Sequence, residues 1–594
     1  MSAAPRPSVA PMVVAEVAAK LPARLRRKLD ASPGLANEWA WLLQGASWQI
    51  DCGEGTIVTL TLEGETITRL DALGCTCLLG PNCLHVAAVL MALPLAEGLP
   101  NPEADVALVG FAEPPVLDAS ARSAVDQLWV AAAGLVQTGA STTGIVGQGE
   151  ILRAVHSCRA AGLHRPAAAG VRIVNAIREL HADKPEFRLE DLTTDVYELL
   201  AVAHGLHREG PADTRYIGTA RRVYSPVGAL RVFGIFTEPV ISRAGFAGVV
   251  TYVCDPTGRL FTLPEVKPGD AGRTTTAYDG SIDLGDASMT HRELSRAGLH
   301  IQGATASIDG RLGSGAGARA VSASGAGWSE PPVDRLWSAS LTSQLDRAWA
   351  TLDLPIQERP AGSDLLFVTG IVRGLDDVLL RIEVENEGAP GAIIVGLPPL
   401  EHAEVAYIDN LHLLGDSVSL RLRMIGRLIP DMPRTVALLA AEPIADGAMA
   451  KLPSSWRGRI NLGLDRLQRS YLAGRSTTPQ DSLAMAPMRE SETDPLERMR
   501  RRLARVVIGG RSTLGDAAWD SINKDAGVLR REQLPTAAEL LTQLAAAVRP
   551  SGDGTRANQG HGDNLALAWL AAATYERAAA RRLARLRWQN PEGN

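Results

Sequence analysis

Four side chains of metal-ligating type fall within eleven consecutive positions, Cys75, Cys77, Cys83 and His85, and they constrain this chain more than any other feature. Their order is Cys-x-Cys, a five-residue gap, then Cys-x-His. Three thiolates and one imidazole complete a tetrahedral Zn²⁺ shell, and a shell filled by protein marks structural rather than catalytic metal. In a reducing compartment such a cluster reads as a metal site, not a disulfide framework. The flanks agree. Residues 56–62 alternate polar and apolar as a half-buried strand does, Glu63-Gly64 supplies a turn, and residues 66–70 read as the return strand. Gly80-Pro81 breaks the chain, Asn82 suits a helix N-cap, and residues 84–93 predict a helix with Cys83 and His85 in its first turn. The positive end of that helix favours thiolate. Cys52 lies on the approach and reads as a small buried hydrophobe, since the ligand set is complete without it. One structural Zn²⁺ per chain is therefore expected, organising residues 46–97 into a module that a hairpin and one helix could not stabilise alone.

This order, with the hairpin before it and the helix after it, resembles the SWIM-type zinc finger, on residues Cys75, Cys77, Cys83 and His85. The resemblance covers residues 46–97 alone. It implies a finger that contacts DNA or protein and, from bacterial SWIM proteins of this general size, a partner among AAA+ ATPases or von Willebrand A-type proteins. Local charge bears on that choice. From Asp51 to Glu97 the acids are Asp51, Glu54, Glu63, Glu65, Asp71 and Glu97, against Arg69 as the one base. A DNA-contacting finger needs Lys or Arg to displace counterions from phosphate. Where many relatives carry a Lys between the last Cys and the His, this chain has Leu84. A protein-facing or purely structural finger is the expectation.

At 594 residues the chain exceeds one core, which predicts several domains. The longest apolar run, residues 86–96, falls short of the roughly 20 residues a membrane helix needs, so no membrane partner is expected. Residues 1–11 lack the order of a signal peptide, and six cysteines do not make a disulfide scaffold, which together predict a cytoplasmic protein. The Arg bias, with lysine only at positions 20, 28, 184, 267, 451 and 524, suggests a GC-rich bacterial source. Net charge is −6 but uneven: residues 451–594 hold 23 basic and 15 acidic residues, or +8, leaving −14 for the first 450. Such asymmetry suggests an acidic partner for the tail or an internal contact.

Read in order, the periodicity predicts an α+β multidomain protein. Residues 1–45 hold an N-terminal tail and a helix over 12–30, and the zinc-bound ββα finger spans 46–97. A helical layer follows over 118–208, with Val125, Leu128, Val130 and Leu135 in its first helix. Strand periodicity over residues 229–236 and 248–253, with Asp255-Pro256-Thr257-Gly258 as a turn, predicts a β-rich domain over 213–325. Residues 310–327 read as a flexible Gly/Ala/Ser loop rather than a dinucleotide fingerprint, because no βαβ unit surrounds them. A connecting helix spans 332–351. A second β-rich module, a small barrel, covers 355–445 with a turn at residues 373–377. The linker 476–494 leads to a helical basic region over 495–590, interrupted by a loop at 551–562.

Two arginine groups stand out there, Arg498, Arg501, Arg502 and Arg505, and Arg577, Arg581 and Arg585, each spaced along one helix face. Guanidinium rows suit phosphate, so nucleic-acid binding through these residues is the alternative to a protein adaptor; a solvated, partly neutralised face is the plainer reading. His204 and His207 could form a metal pair but lack an evident partner. Cys158 beside His156 sits two residues away on a helix, which puts the two side chains on different faces. No Lys follows a Gly, which excludes a P-loop, and no His-Glu-x-x-His or Gly-x-Ser-x-Gly occurs. The expectation is a non-enzymatic interaction protein.

Overall fold

The computed structural model describes residues 35–93, 115–218, 224–444, 451–472, 494–549 and 559–589, apart from single positions and short runs inside those ranges, with scattered positions between 6 and 29. The Glu63-Gly64 turn, the finger's end near residue 98, the 476–494 linker and the 551–562 loop lie wholly or largely outside it. The fold is mixed helix and sheet. Two compact units divide it: Met1–Ala107 with Val223–Thr478 and Pro591–Asn594, and Leu108–Arg222 with Pro479–Asn590.

The first unit opens with β1 (Ser8–Val9), β2 (Ala40–Gln44), β3 (Ser47–Asp51), β4 (Ile57–Thr61), β5 (Thr66–Ile67), β6 (Leu73–Cys75) and the helix α1 (Leu84–Met91). Val58 and Leu60 turn inward from β4 while Ile57, Thr59 and Thr61 turn out, the alternation the sequence predicts. With Ile50, they meet Val86, Val89 and Leu90 of α1. The pairing corrects one expectation. Residues 66–70 are not the return strand: the sheet runs β2-β3-β4-β6, and β5 pairs parallel with β1. A 3-10 turn at Leu70–Ala72 redirects the chain so that β6 takes the open edge of β4 and delivers Cys75 there.

In the second unit, α2 (Ala119–Thr138), α3 (Ile145–Ala160), α4 (His164–His181) and α5 (Leu189–Leu206) follow. Asp118 caps α2 by accepting the Ala121 N–H at 2.7 Å. Val125, Leu128 and Leu135 are buried, but Val130 is 66% exposed, because it stands two residues past Leu128 and so on another face.

Two β-barrels complete the first unit, and they repeat one topology. The first contains β7 (Tyr224–Ile241), β8 (Phe246–Cys254), β9 (Leu260–Pro268), β10 (Gly298–Ser307), β11 (Leu312–Gly313) and β12 (Arg319–Ala323). One half of β7 pairs with β10 and the other with β8; β9 pairs with β8, β11 and β12 with β10, and Arg311 bridges parallel to Thr262 of β9. The connecting helices α6 (Leu341–Thr351) and a short turn over Arg335–Ser338 lead to the second barrel, where a single helix over 332–351 was expected; Ser340 caps α6 and breaks it. There β13 (Leu365–Asp376), β14 (Leu379–Val384), β15 (Ile393–Leu397), α7 (Tyr407–Gly415), β16 (Arg421–Leu428), β17 (Thr435–Pro443) and β18 (Ile460–Asn461) follow. Again the first strand is shared, β13 pairing with β16 and β14, and the third and fifth strands, β15 and β17, close the ring in parallel. In each barrel the order is first, second, third, fifth, fourth and back to first, with helix between the third and fourth: Arg273–Asp279 and His291–Leu294 in the first barrel, α7 in the second.

Residues 310–327 are not simply loop, since Arg319–Ala323 forms β12; its small side chains are required by burial, Ala323 lying against the core of the finger. Residues 373–376 remain in β13, past a bulge at Val372–Gly374, and the reversal falls at Asp377 (φ 56°).

The outer face of β7 and β8 packs on β13, β16 and β17 of the second barrel. Phe236 stacks on Tyr252 with centroids 4.5 Å apart, and Trp328, Trp337, Leu365 and Phe367 fill the seam. Arg427 crosses it, donating to both carboxylate oxygens of Glu238 (3.0 and 2.8 Å) and to Asp364 (2.9 Å). The first barrel's open sheet face is thus consumed internally.

The second unit closes with α8 (Glu497–Gly509), α9 (Asp516–Arg531), α10 (Pro535–Ala546) and α11 (Gln559–Gln589). Their buried faces, including Met499, Val506, Leu541 and Trp569, join Leu128, Ile173 and Leu199 of the earlier helices in one core. Residues 118–208 and 495–590 therefore build one helical body across an intervening 250 or so residues of sheet. Among the described residues no helix is long and apolar enough to cross a membrane.

Candidate metal centre

Each ligand is placed by a different local device. Cys75 ends β6, opposite Val58, and the Cys-x-Cys segment is held to β4 by Thr76: its N–H donates to Ile57 O (3.0 Å) and its hydroxyl accepts from Ile57 N–H (2.9 Å). The knuckle then folds back so closely that a Cβ on Gly80 would stand 2.6 Å from the Cys75 carbonyl oxygen, so only glycine fits. Cys83, not Asn82, is the N-cap of α1. Its sulfur accepts the Val86 N–H at 3.5 Å, which displaces the expected asparagine from that role. His85 lies in the first turn, its Nδ1 4.0 Å from Cys75 Sγ, with the Trp39 ring 5.9 Å away.

The result is a single cluster. The four ligand atoms of Cys75, Cys77, Cys83 and His85 all lie within 4.8 Å of one another, and they form the one such group among the described residues. Cys52 stands outside it, donating its S–H to Ile50 O at 3.6 Å, with burial pushing its thiol up to about 11. The donor set tests well against a soft divalent cation. Burial raises the Cys83 thiol to about 12 and raises Cys75, while at Cys77 burial is outweighed by the N–H groups of Leu79 and Gly80 and by the neighbouring thiols. Burial, then Lys28, lowers His85, keeping its imidazole in the neutral form that coordinates. A buried Cys83 thiolate beside the half-buried Cys75 and Cys77 needs a cation next to it, which is the condition a Cys₃His site meets. The cluster could hold one metal ion, and its ligands are those of zinc.

The arginine groups are placed differently. Arg502 is turned inward, its Nε donating to Asp525 at 2.8 Å, and Arg498 meets the same carboxylate at 3.2 Å. Arg501 pairs with Glu497 at 2.5 Å, and Arg505 is exposed. Arg577 lies 4.4 Å over the Tyr197 ring and donates to Thr194 at 2.8 Å; Arg581 and Arg585 are half-buried and have partners. His207 does have a carboxylate, Asp126 at 2.8 Å, which the sequence did not suggest; His204 packs with it against Trp129. Cys158 is buried against Ala124 O, its thiol pushed up to about 11 by burial, and His156 is exposed. Sequence reasoning missed Thr76 and Trp39 at the centre; Thr76, between the first two cysteines, was the legible one.

No protein-family model, no curated protein and no solved structure matches this chain.

Proposed function

We propose that the chain is a zinc-binding interaction protein in which Cys75, Cys77, Cys83 and His85 hold one structural Zn²⁺ in a SWIM-type finger, and which has no catalytic role of its own. The observation that carries the reading is the convergence of four protein donors within 4.8 Å, the number that fills a tetrahedral shell and leaves no position for substrate. When bound, the ion would neutralise the clustered thiolates and tie β6 to α1. The chain does the remainder: Thr76 sets the first two ligands on β4, Gly80 lets the knuckle close, and Cys83 starts the helix.

A protein partner is preferred over nucleic acid. The finger's charge is acidic, and in the C-terminal row Arg498, Arg501 and Arg502 are already matched by Asp525 and Glu497, which reduces what is left for phosphate. The finger's resemblance suggests an AAA+ ATPase or von Willebrand A-type protein as that partner. Elemental analysis of the purified chain tests the metal: about one zinc per chain is expected, and a metal-free protein of native fold would refute the site. A salt titration against random duplex tests the alternative. Tight binding that weakens steeply with salt and is abolished by Arg577→Ala, Arg581→Ala and Arg585→Ala together would replace the protein-partner reading.

A further inference from the structure

A cavity of about 260 Å³ opens in the seam between the barrels, bounded by Leu260 and Ile308 of the first, Leu336 of the connecting turn and Phe367 of β13. Its walls are mainly apolar, and Ile308 stands 76% exposed at the mouth. Two guanidiniums, Arg259 and Arg347, line it as well. A third, Arg335, lies beside Leu336 and donates to Pro256 O at 3.2 Å.

These cations lack the neutralisation that others on the barrels have. Arg292, Arg373, Arg381 and Arg421 each meet a carboxylate. Among the described residues no carboxylate oxygen lies within 4.0 Å of the guanidinium of Arg259, Arg335 or Arg347. Arg347 donates instead to the carbonyls of Ser363 (3.4 Å) and Leu365 (2.5 Å), and Arg259 rests 4.9 Å over the Phe261 ring. The acid nearest in effect to Arg347, Asp364, is committed to Arg427 at 2.9 Å. Asp255 is engaged by the backbone N–H groups of Thr257 and Arg259. Apolar walls joined by two guanidiniums that no carboxylate matches among the described residues suit a ligand of the complementary kind.

We propose that this seam cavity binds a small organic anion, a carboxylate or phosphate monoester on a short apolar body, with Arg259 and Arg347 receiving the anionic head and Leu260, Leu336 and Phe367 the body. The volume lies below the roughly 300–1,000 Å³ of drug-sized sites, which restricts the body to a few carbons or a single ring. Guanidinium suits either head group because its planar N–H fork matches both.

Calorimetric titration of the full chain with hexanoate and phenyl phosphate tests this, beside hexanol and phenol (body without charge) and inorganic phosphate (charge without body). Saturable one-to-one binding of at least one organic anion is expected, roughly tenfold or more tighter than its uncharged counterpart and than inorganic phosphate, the effect of one charge-assisted contact. Arg259→Gln, at a side chain that holds no backbone together, should weaken it by a similar factor, and Thr351→Trp, which fills the cavity, should abolish it. Arg373→Gln, on the second barrel's outer face, should leave it unchanged. No saturation by either anion, equal binding of the uncharged counterparts, or binding indifferent to both Arg259→Gln and Thr351→Trp would overturn the assignment.

Discussion

Single residues carry two sharp predictions. Cys77→Ser or Cys83→Ser removes one of four donors, so zinc content by elemental analysis should fall from about one per chain to near zero, with Cys52→Ser unaffected because its sulfur is bonded to Ile50 O instead. The second concerns protons. His291 and His300 are buried in the first barrel, His300 beside Arg231 with its Nε2 2.5 Å from a guanidinium nitrogen. Burial, then Arg231, pushes His300 down to about 3, and burial pushes His291 down to about 4. Both are neutral when folded, whereas an unfolded imidazole takes up its proton near pH 6.5. Stability is therefore fully present above about pH 6.5 and is lost as pH falls towards those depressed values, by up to ~1.4 kcal/mol per pH unit for each group. Denaturant titrations between neutral and mildly acid pH should show that slope, and His300→Gln should flatten it.

At the scale of elements, the seam between barrels is held by a charge that has no water to fall back on. Glu238 is 7% exposed, and it accepts from Arg427 and from the Tyr252 hydroxyl at 3.0 Å. Arg427→Met alone leaves the carboxylate with the Tyr252 hydroxyl and no matching cation among the described residues and should cost ~3 kcal/mol, while adding Glu238→Gln should recover much of it, because breaking a largely buried pair is worse than removing it. Chemical denaturation followed through Trp328, buried in that seam, reads the difference. The strands themselves were legible: alternation over residues 229–236 and 248–253 falls within β7 and β8, and the Asp255 turn has Gly258 at φ +89°, as a Pro-x-Gly turn predicts. Pairing was not. Residues 66–67 alternate as well as any return strand, yet hydrogen-bond to β1, because which edge a short strand joins depends on what else reaches that edge first.

Across the whole molecule, metal should matter locally. Chelation under reducing conditions should raise hydrogen exchange over β2–β6 and α1, whose core includes the cluster's own cysteines, and leave the helical unit's Leu128–Leu541 core protected, since that core shares no residue with the finger's. Uniform loss of protection would show that the finger is not an independent folding unit. The division into two units could not be read from the chain. Residues 118–208 and 495–590 each show helical periodicity, but nothing in either says that both bury against one core, because an amphipathic face specifies burial and not a partner. The repeated barrel topology was hidden for the same reason: strand order is set by long-range pairing that leaves no mark in local alternation.

The amino-acid sequence by itself determined the cluster of four candidate ligands, because ligand types, their spacing and the helix start that carries two of them are local properties of the chain around residues 75–85. It also marked β4, β7, β8 and the helices of the 118–208 layer, through periods of 2 and 3.6. Only the tertiary structure decided that, among the described residues, three arginines beside the seam cavity meet no carboxylate while Arg502 is buried against one. Charge in a sequence is a count, and its availability depends on which acids the fold brings within reach.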